Sequence, residues 1–115
     1  MSDFNLSISD RRSADRHPLR TEVWVQLADG RQGMAQSLDV GAGGMALVSD
    51  FNPPPGSALT ARLRLPAKAM GGTVFEARAT VANSVFCGAE AGFRVGLKFE
   101  TLDDRHAATL KSFLG

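Results

Sequence analysis

The stretch Leu59-Thr60-Ala61-Arg62-Leu63-Arg64-Leu65 reads apolar and polar in strict turn. A backbone that sends successive side chains to opposite faces is a β-strand, so Leu59, Ala61, Leu63 and Leu65 share one face and Thr60, Arg62 and Arg64 the other. Pro66 ends the run and Gly71-Gly72 makes a loop. A second strand follows, in which Val74, Glu76, Arg78 and Thr80 alternate with Phe75, Ala77, Ala79 and Val81. After a loop over Gly88 to Gly92, Phe93, Val95, Leu97 and Phe99 alternate with Arg94, Gly96 and Lys98. Upstream, Val23, Val25 and Leu27 alternate with Trp24 and Gln26, Ala28-Asp29-Gly30 supplies a turn, and Gln32 to Leu38 returns as a strand. Gly41 to Gly44 interrupts it before the apolar run Met45 to Val48. Asn52-Pro53-Pro54-Pro55-Gly56 is excluded from a ladder, because successive prolines lack the donors.

Short alternating strands imply an antiparallel sheet with one wet face, and closing it into a small barrel removes its edges. Only the tail has helical spacing: Leu102, His106, Leu110 and Phe113 fall on one face, with Asp103 or Asp104 as cap. Such a helix can plug one end of the barrel. Residues 1–21 are polar, charge-rich and aperiodic and read as a flexible Arg-rich arm, leaving residues 22–115 as the barrel domain.

The chain has 115 residues, of which 43% are hydrophobic and 22% charged, enough for one core and against intrinsic disorder. Its net charge of +1 provides no global field for nucleic acid or membrane. A single Cys and two His exclude an internal disulfide and a zinc site, so no metal is expected. The start MSDFNLSISD is not a signal peptide, no run of ~18 apolar residues could span a membrane, and the expected home is the cytoplasm. No nucleophile, general base and oxyanion donor can be assembled, so neither catalytic residues nor a cofactor are expected.

Two segments carry recognition chemistry. Arg11, Arg12, Arg16 and Arg20 fall within Arg11-Arg12-Ser13-Ala14-Asp15-Arg16-His17-Pro18-Leu19-Arg20, which holds two overlapping Arg-x-x-x-Arg pairs. A guanidinium grips phosphate with parallel hydrogen bonds, stacks on a base, or docks on guanine O6 and N7. The same residues also suit a solvated basic tail. Ser37-Leu38-Asp39-Val40-Gly41-Ala42-Gly43-Gly44 is the second segment, whose glycines permit positive φ or close approach of a ligand. Asp39 there can accept from guanine N1–H and N2, or merely cap its own turn.

Together these segments resemble the PilZ domain, the bacterial receptor module for cyclic di-GMP. That family carries Arg-x-x-x-Arg before its first strand, matched by Arg16 to Arg20, and Asp/Asn-x-Ser-x-x-Gly between its second and third strands, matched at Asp39 and Gly44. The likeness runs from about Arg11 to Leu114. Gly41 replaces the motif serine, a loss of one hydrogen bond worth about 0.5–1.5 kcal/mol. A further family Arg before the motif is matched if Arg12 and Arg16 form the pair, while Arg16 and Arg20 better fit the distance to the first strand.

The resemblance implies a six-stranded antiparallel β-barrel with a C-terminal helix, and a cyclic di-GMP receptor or adaptor. Arg12, Arg16 and Arg20 would grip phosphate and guanine, Asp39 would read the guanine edge, and Gly41 and Gly44 would let the turn approach it. Ordering of the arm over the ligand would alter a surface for a protein partner whose identity the sequence does not specify. One alternative is a PilZ-type protein-interaction module that binds no nucleotide and serves pilus or motility control. Another is a small-barrel nucleic-acid binder, disfavoured by 7% aromatics and no Tyr; no DNA, RNA or membrane insertion is expected. Of the remaining residues, Arg94 can reach the ligand or simply solubilise its strand, and Trp24 is cover or a partner contact. Cys87 reads as inert, His106 as part of the helix, and Met34, Met45 and Met70 as gap fillers.

Overall fold

The computed structural model describes residues 16–66 and 72–115. Strands β1 (His17–Pro18), β2 (Glu22–Leu27), β3 (Gln32–Val40), β4 (Gly44–Ser49), β5 (Ala58–Leu65), β6 (Thr73–Cys87) and β7 (Gly92–Phe99) precede helix α1 (Asp104–Leu114). Every pairing is antiparallel. Around the barrel the order is β2, β3, β4, β7, β6, β5 and back to β2, so six strands close on themselves as expected. Closure depends on β3, which pairs with β2 through Gln32 to Gln36 and with β4 through Gln36 to Val40. The short β1 continues the line of β2 along β3, with His17 opposite Val40 and Pro18 opposite Asp39.

The alternation sorts inside from outside. Val23, Val25, Ala61, Phe75, Ala79 and Val95 are fully buried, and Leu59, Leu63, Leu65 and Leu97 nearly so. Burial of each large side chain contributes about 1.5–3 kcal/mol, the main favourable term in so small a barrel. Helix α1 closes one mouth: Leu110 enters the core, and Leu102, Phe113 and Leu114 pack around it. Its start is fixed by Asp103, whose carboxylate accepts the His106 N–H at 2.8 Å. His106 faces inward, its ring edge-on to Phe75, with Nδ1 accepting the Glu76 N–H at 3.2 Å. No helix among the described residues is long and apolar enough to cross a membrane.

Two features depart from expectation. Strand β6 runs on to Cys87, because Asn83 to Cys87 pair with β7 although they lack the earlier alternation. Met34 stands 53% exposed on β3, unlike fully buried Met45, so it fills no gap; Met70 lies outside the described residues. The Gly41 to Gly44 turn makes no use of the positive φ that its glycines permit, which among described glycines occurs at Gly30, Gly56 and Gly72. Gly30 closes the β2–β3 hairpin with φ of 92°, the conformation that turn demands.

Part of the expected arm is described. Residues 16–21 run along β3, where the Leu19 N–H donates to the Leu38 carbonyl at 3.1 Å and the Ser37 N–H to the Thr21 carbonyl at 2.9 Å. Buried Ser37 is the latch: its Oγ donates to the Leu19 carbonyl and accepts the Thr21 N–H. Ser37→Ala strands both backbone groups and is expected to cost about 1–3 kcal/mol, read as a lower midpoint in denaturant unfolding. A midpoint equal to wild type would show that the latch is not needed.

Candidate functional site

Two β-bulges determine which side chains share the outer face. In β3 the register with β4 shifts between Ser37 and Asp39, so Ser37 stays buried while Asp39 stands outside, opposite Ala46. In β6 the register with β7 shifts between Val81 and Asn83, so exposed Asn83 follows buried Val81 and lies opposite Gly96. A row Asp39, Ala46, Gly96, Asn83 therefore crosses four adjacent strands. At ~4.8 Å per strand, the backbones of its two polar residues lie ~14 Å apart along the sheet, with Ala46 and Gly96 between them. The Asn83 amide covers Gly96 so closely that an added Cβ there would sit 3.0 Å from its oxygen.

Beside this row opens a cleft of about 440 Å³, lined by Arg16, the Gly41 to Gly44 turn, Asn83 and Lys98. It falls in the ~300–1,000 Å³ range of small-ligand sites. Its wall mixes backbone amides with cationic side chains, a combination suited to anionic ligands. The glycine turn is pinned by the Gly41 N–H donating to the Gly44 carbonyl at 2.8 Å and by the Gly43 carbonyl accepting from Phe99 at 2.9 Å. Gly44 also has a purely structural reason to be glycine: an added Cβ would lie 2.0 Å from the Leu97 carbonyl oxygen.

The expected ligand residues divide. Arg16 lies on Asp39, with Nη1 at 2.8 Å from Oδ1, and both side chains are partly covered. Arg94 reaches the same carboxylate from β7, at 3.9 Å from Oδ2, so it joins this cluster rather than only solubilising its strand. Arg20 points elsewhere and is held by Glu90 at 3.0 and 3.2 Å. Glu90 sits in a 3₁₀ turn, Gly88–Glu90, which ends on Ala91 in the left-handed conformation with φ of 57°. Arg12 lies outside the described residues. Trp24, on the outer face of β2, is half-covered by the Arg62 guanidinium 4.5 Å from its ring. Among the described residues, no three His, Cys, Asp or Glu side chains gather as a metal site would need.

Asn83, Lys98 and Glu90 escaped the sequence reading. Asn83 owes its place to a bulge, Lys98 looked like ordinary outward decoration of β7, and Glu90 lies in a loop without periodicity. The hydrogen bond from Arg20 holds the Glu90 carboxyl below its ordinary value of 4.5, with help from the charges of Arg20 and Arg94 and against a smaller desolvation effect. A lowered carboxyl favours the folded state above pH 4.5, and that contribution is lost as pH falls through the lowered value. Carbon-13 titration of the Glu90 side chain should therefore give a midpoint below 4.5 that returns to ordinary in Arg20→Ala. An identical midpoint in both proteins would show that Arg20 does not hold it.

The chain belongs to the PilZ domain family, whose model matches residues 10–115. Solved structures agree on the fold. The Bacillus subtilis inhibitor of motility MotI/DgrA superposes with a TM-score of 0.70 at 21% identity, covering 84% of this chain and 46% of that one. The PilZ domain of CeSA from a cellulose-synthesizing bacterium gives 0.64 at 17% identity, covering 86% of this chain and 93% of that one. PlzA of Borreliella burgdorferi, solved in complex with c-di-GMP, gives 0.60 at 10% identity, covering 99% of this chain and 46% of that one. The chain thus spans about half the length of MotI/DgrA and PlzA. No curated protein matches it in sequence.

Proposed function

We propose that this chain is a non-enzymatic, cytoplasmic receptor domain for cyclic di-GMP. The observation that carries the reading is the Arg16–Asp39 pair at the edge of the cleft. Both groups that a guanine dinucleotide needs are then in contact before ligand arrives. A phosphodiester competes for the Arg16 guanidinium, and the released Asp39 carboxylate can accept from guanine N1–H and N2. The Gly41 to Gly44 turn and Ala46 present no side chain larger than a methyl to a flat base, and the Asn83 amide over Gly96 bounds that surface on the β6 side. At the motif-serine position the Gly41 N–H is already donated to the Gly44 carbonyl, so the site lacks that hydroxyl contact.

In this reading the protein signals by ordering its arm over the ligand and so changing a surface seen by a protein partner. Residues 16–21 are already fastened along β3, so among the described residues the change concerns the Arg16 and Arg20 guanidinium groups. Calorimetric titration with cyclic di-GMP, with GTP as control, tests the receptor reading. Micromolar or tighter binding of cyclic di-GMP alone is expected, and no binding at high ligand concentration by the chain or by its Glu90→Gln variant would remove it.

A second reading is a protein-interaction module that takes no nucleotide. Gly41 favours it, and so do Val85 and Phe86, which stand 61% and 66% exposed near the end of β6. The structural likeness to an inhibitor of motility is compatible with it.

A further inference from the structure

Five charged side chains of alternating sign connect the two arginines of the motif. Arg16 lies on Asp39, and Arg94 lies beside the same carboxylate. The charge of Arg94 also reaches Glu90, and Glu90 grips Arg20 with both oxygens. The two guanidinium groups are thus each occupied by an internal carboxylate. Asp39 reaches the cleft through Arg16, which lines it, whereas Glu90 and its partner Arg20 both lie off the cleft. Its contact with Arg20 bridges residues 70 positions apart and ties the segment beside β1 to the turn between β6 and β7. That turn closes on Ala91, a non-glycine residue held in the left-handed region at φ of 57°. Such a conformation persists only where its surroundings determine it, and here it completes the turn carrying Glu90.

We infer that Glu90 is a positioning residue that holds Arg20 away from the cleft and must be displaced by an anionic ligand. The inference rests on the receptor reading and deepens it. A carboxylate and a phosphodiester present similar pairs of oxygens to a guanidinium fork, so they compete for the same donors. A ligand carrying two phosphodiester groups can replace Asp39 on Arg16 and Glu90 on Arg20 together. A ligand with one anionic group leaves one arginine on its carboxylate. Glu90 thereby raises the threshold for binding and favours dianionic ligands. Because the pair is solvent-accessible, with Arg20 exposed and Glu90 partly covered, its removal should have a modest effect, about two- to fivefold in affinity.

The test is titration with cyclic di-GMP of the full chain and of Glu90→Gln, Glu100→Gln, Arg20→Ala and the double variant Arg20→Ala, Glu90→Gln. Glu100 neighbours Arg78 at 3.8 Å, so its variant makes the same change in net charge without touching Arg20. Glu90→Gln should bind about two- to fivefold tighter than wild type, beyond any gain in Glu100→Gln, and the gain should vanish relative to Arg20→Ala alone. Binding by Glu90→Gln where wild type shows none would support the inference more strongly. Wild-type binding with an equal or weaker Glu90→Gln, or an equal gain in Glu100→Gln, would overturn it and leave the receptor reading intact. Absence of binding by every variant would remove both.

Discussion

Arg16→Ala is expected to weaken cyclic di-GMP binding by about one to two orders of magnitude, and more than Arg20→Ala does. The difference comes from where each side chain begins. Arg16 lines the cleft and touches Asp39 at 2.8 Å, so replacing it removes a charge-assisted phosphate contact. The loss also leaves the Asp39 carboxylate beside an anionic ligand with only the more distant Arg94, at 3.9 Å, to balance it. A hydrogen bond to a charged group is worth about 1.5–3 kcal/mol, which corresponds to roughly 10- to 150-fold. Both arginines leave a carboxylate on binding, but released Asp39 can accept from guanine whereas released Glu90 gains no ligand contact, so the exchange offsets more of the Arg20 contribution. Titration of both single variants against cyclic di-GMP reads the order directly. Equal losses would show that the cleft does not distinguish the two positions, and an unaffected Arg16→Ala would take the site away from this pair.

Gly44→Ala is expected to destabilise the fold by about 3 kcal/mol or more, with the unfolding midpoint as readout. The added methyl would lie 2.0 Å from the Leu97 carbonyl oxygen and 3.1 Å from its carbon. Those atoms belong to the backbone of β7, where Met45 pairs with Leu97 and Gly44 with Lys98. No rotamer change can relieve the clash, because the obstructing atom belongs to a strand paired on both sides. Weak ligand binding by this variant would consequently report misplacement of the turn rather than loss of a ligand contact. A midpoint unchanged by Gly44→Ala would mean that β4 and β7 can part at little cost.

How much of this was legible without coordinates follows from the range of each interaction. Alternation is a local property, so the strands at Leu59 to Leu65, Phe75 to Val81 and Phe93 to Phe99 could be read directly, with their buried faces. Asp103 as a helix cap is equally local, since its acceptor meets an N–H three residues ahead. The family resemblance could name Arg16 and Asp39 as ligand residues, but not their direct contact across 23 positions. The extension of β6 to Cys87 had no such signal: its residues are held by pairing to β7, and pairing leaves no periodic trace in a stretch such as Ala82-Asn83-Ser84.

Composition and pattern by themselves determined a single all-β domain with a helical tail, an inward face for each clean strand, and an arginine-rich segment fit for anions. Tertiary structure alone decided which side chains share the cleft. A one-residue bulge reverses every side chain beyond it, so the shifts after Ser37 and Val81 placed Asp39 and Asn83 on one outer row. It also decided that Arg16 meets Asp39 whereas Arg20 meets Glu90, 70 residues away, because ion pairs form by distance in space and leave no mark on spacing along the chain.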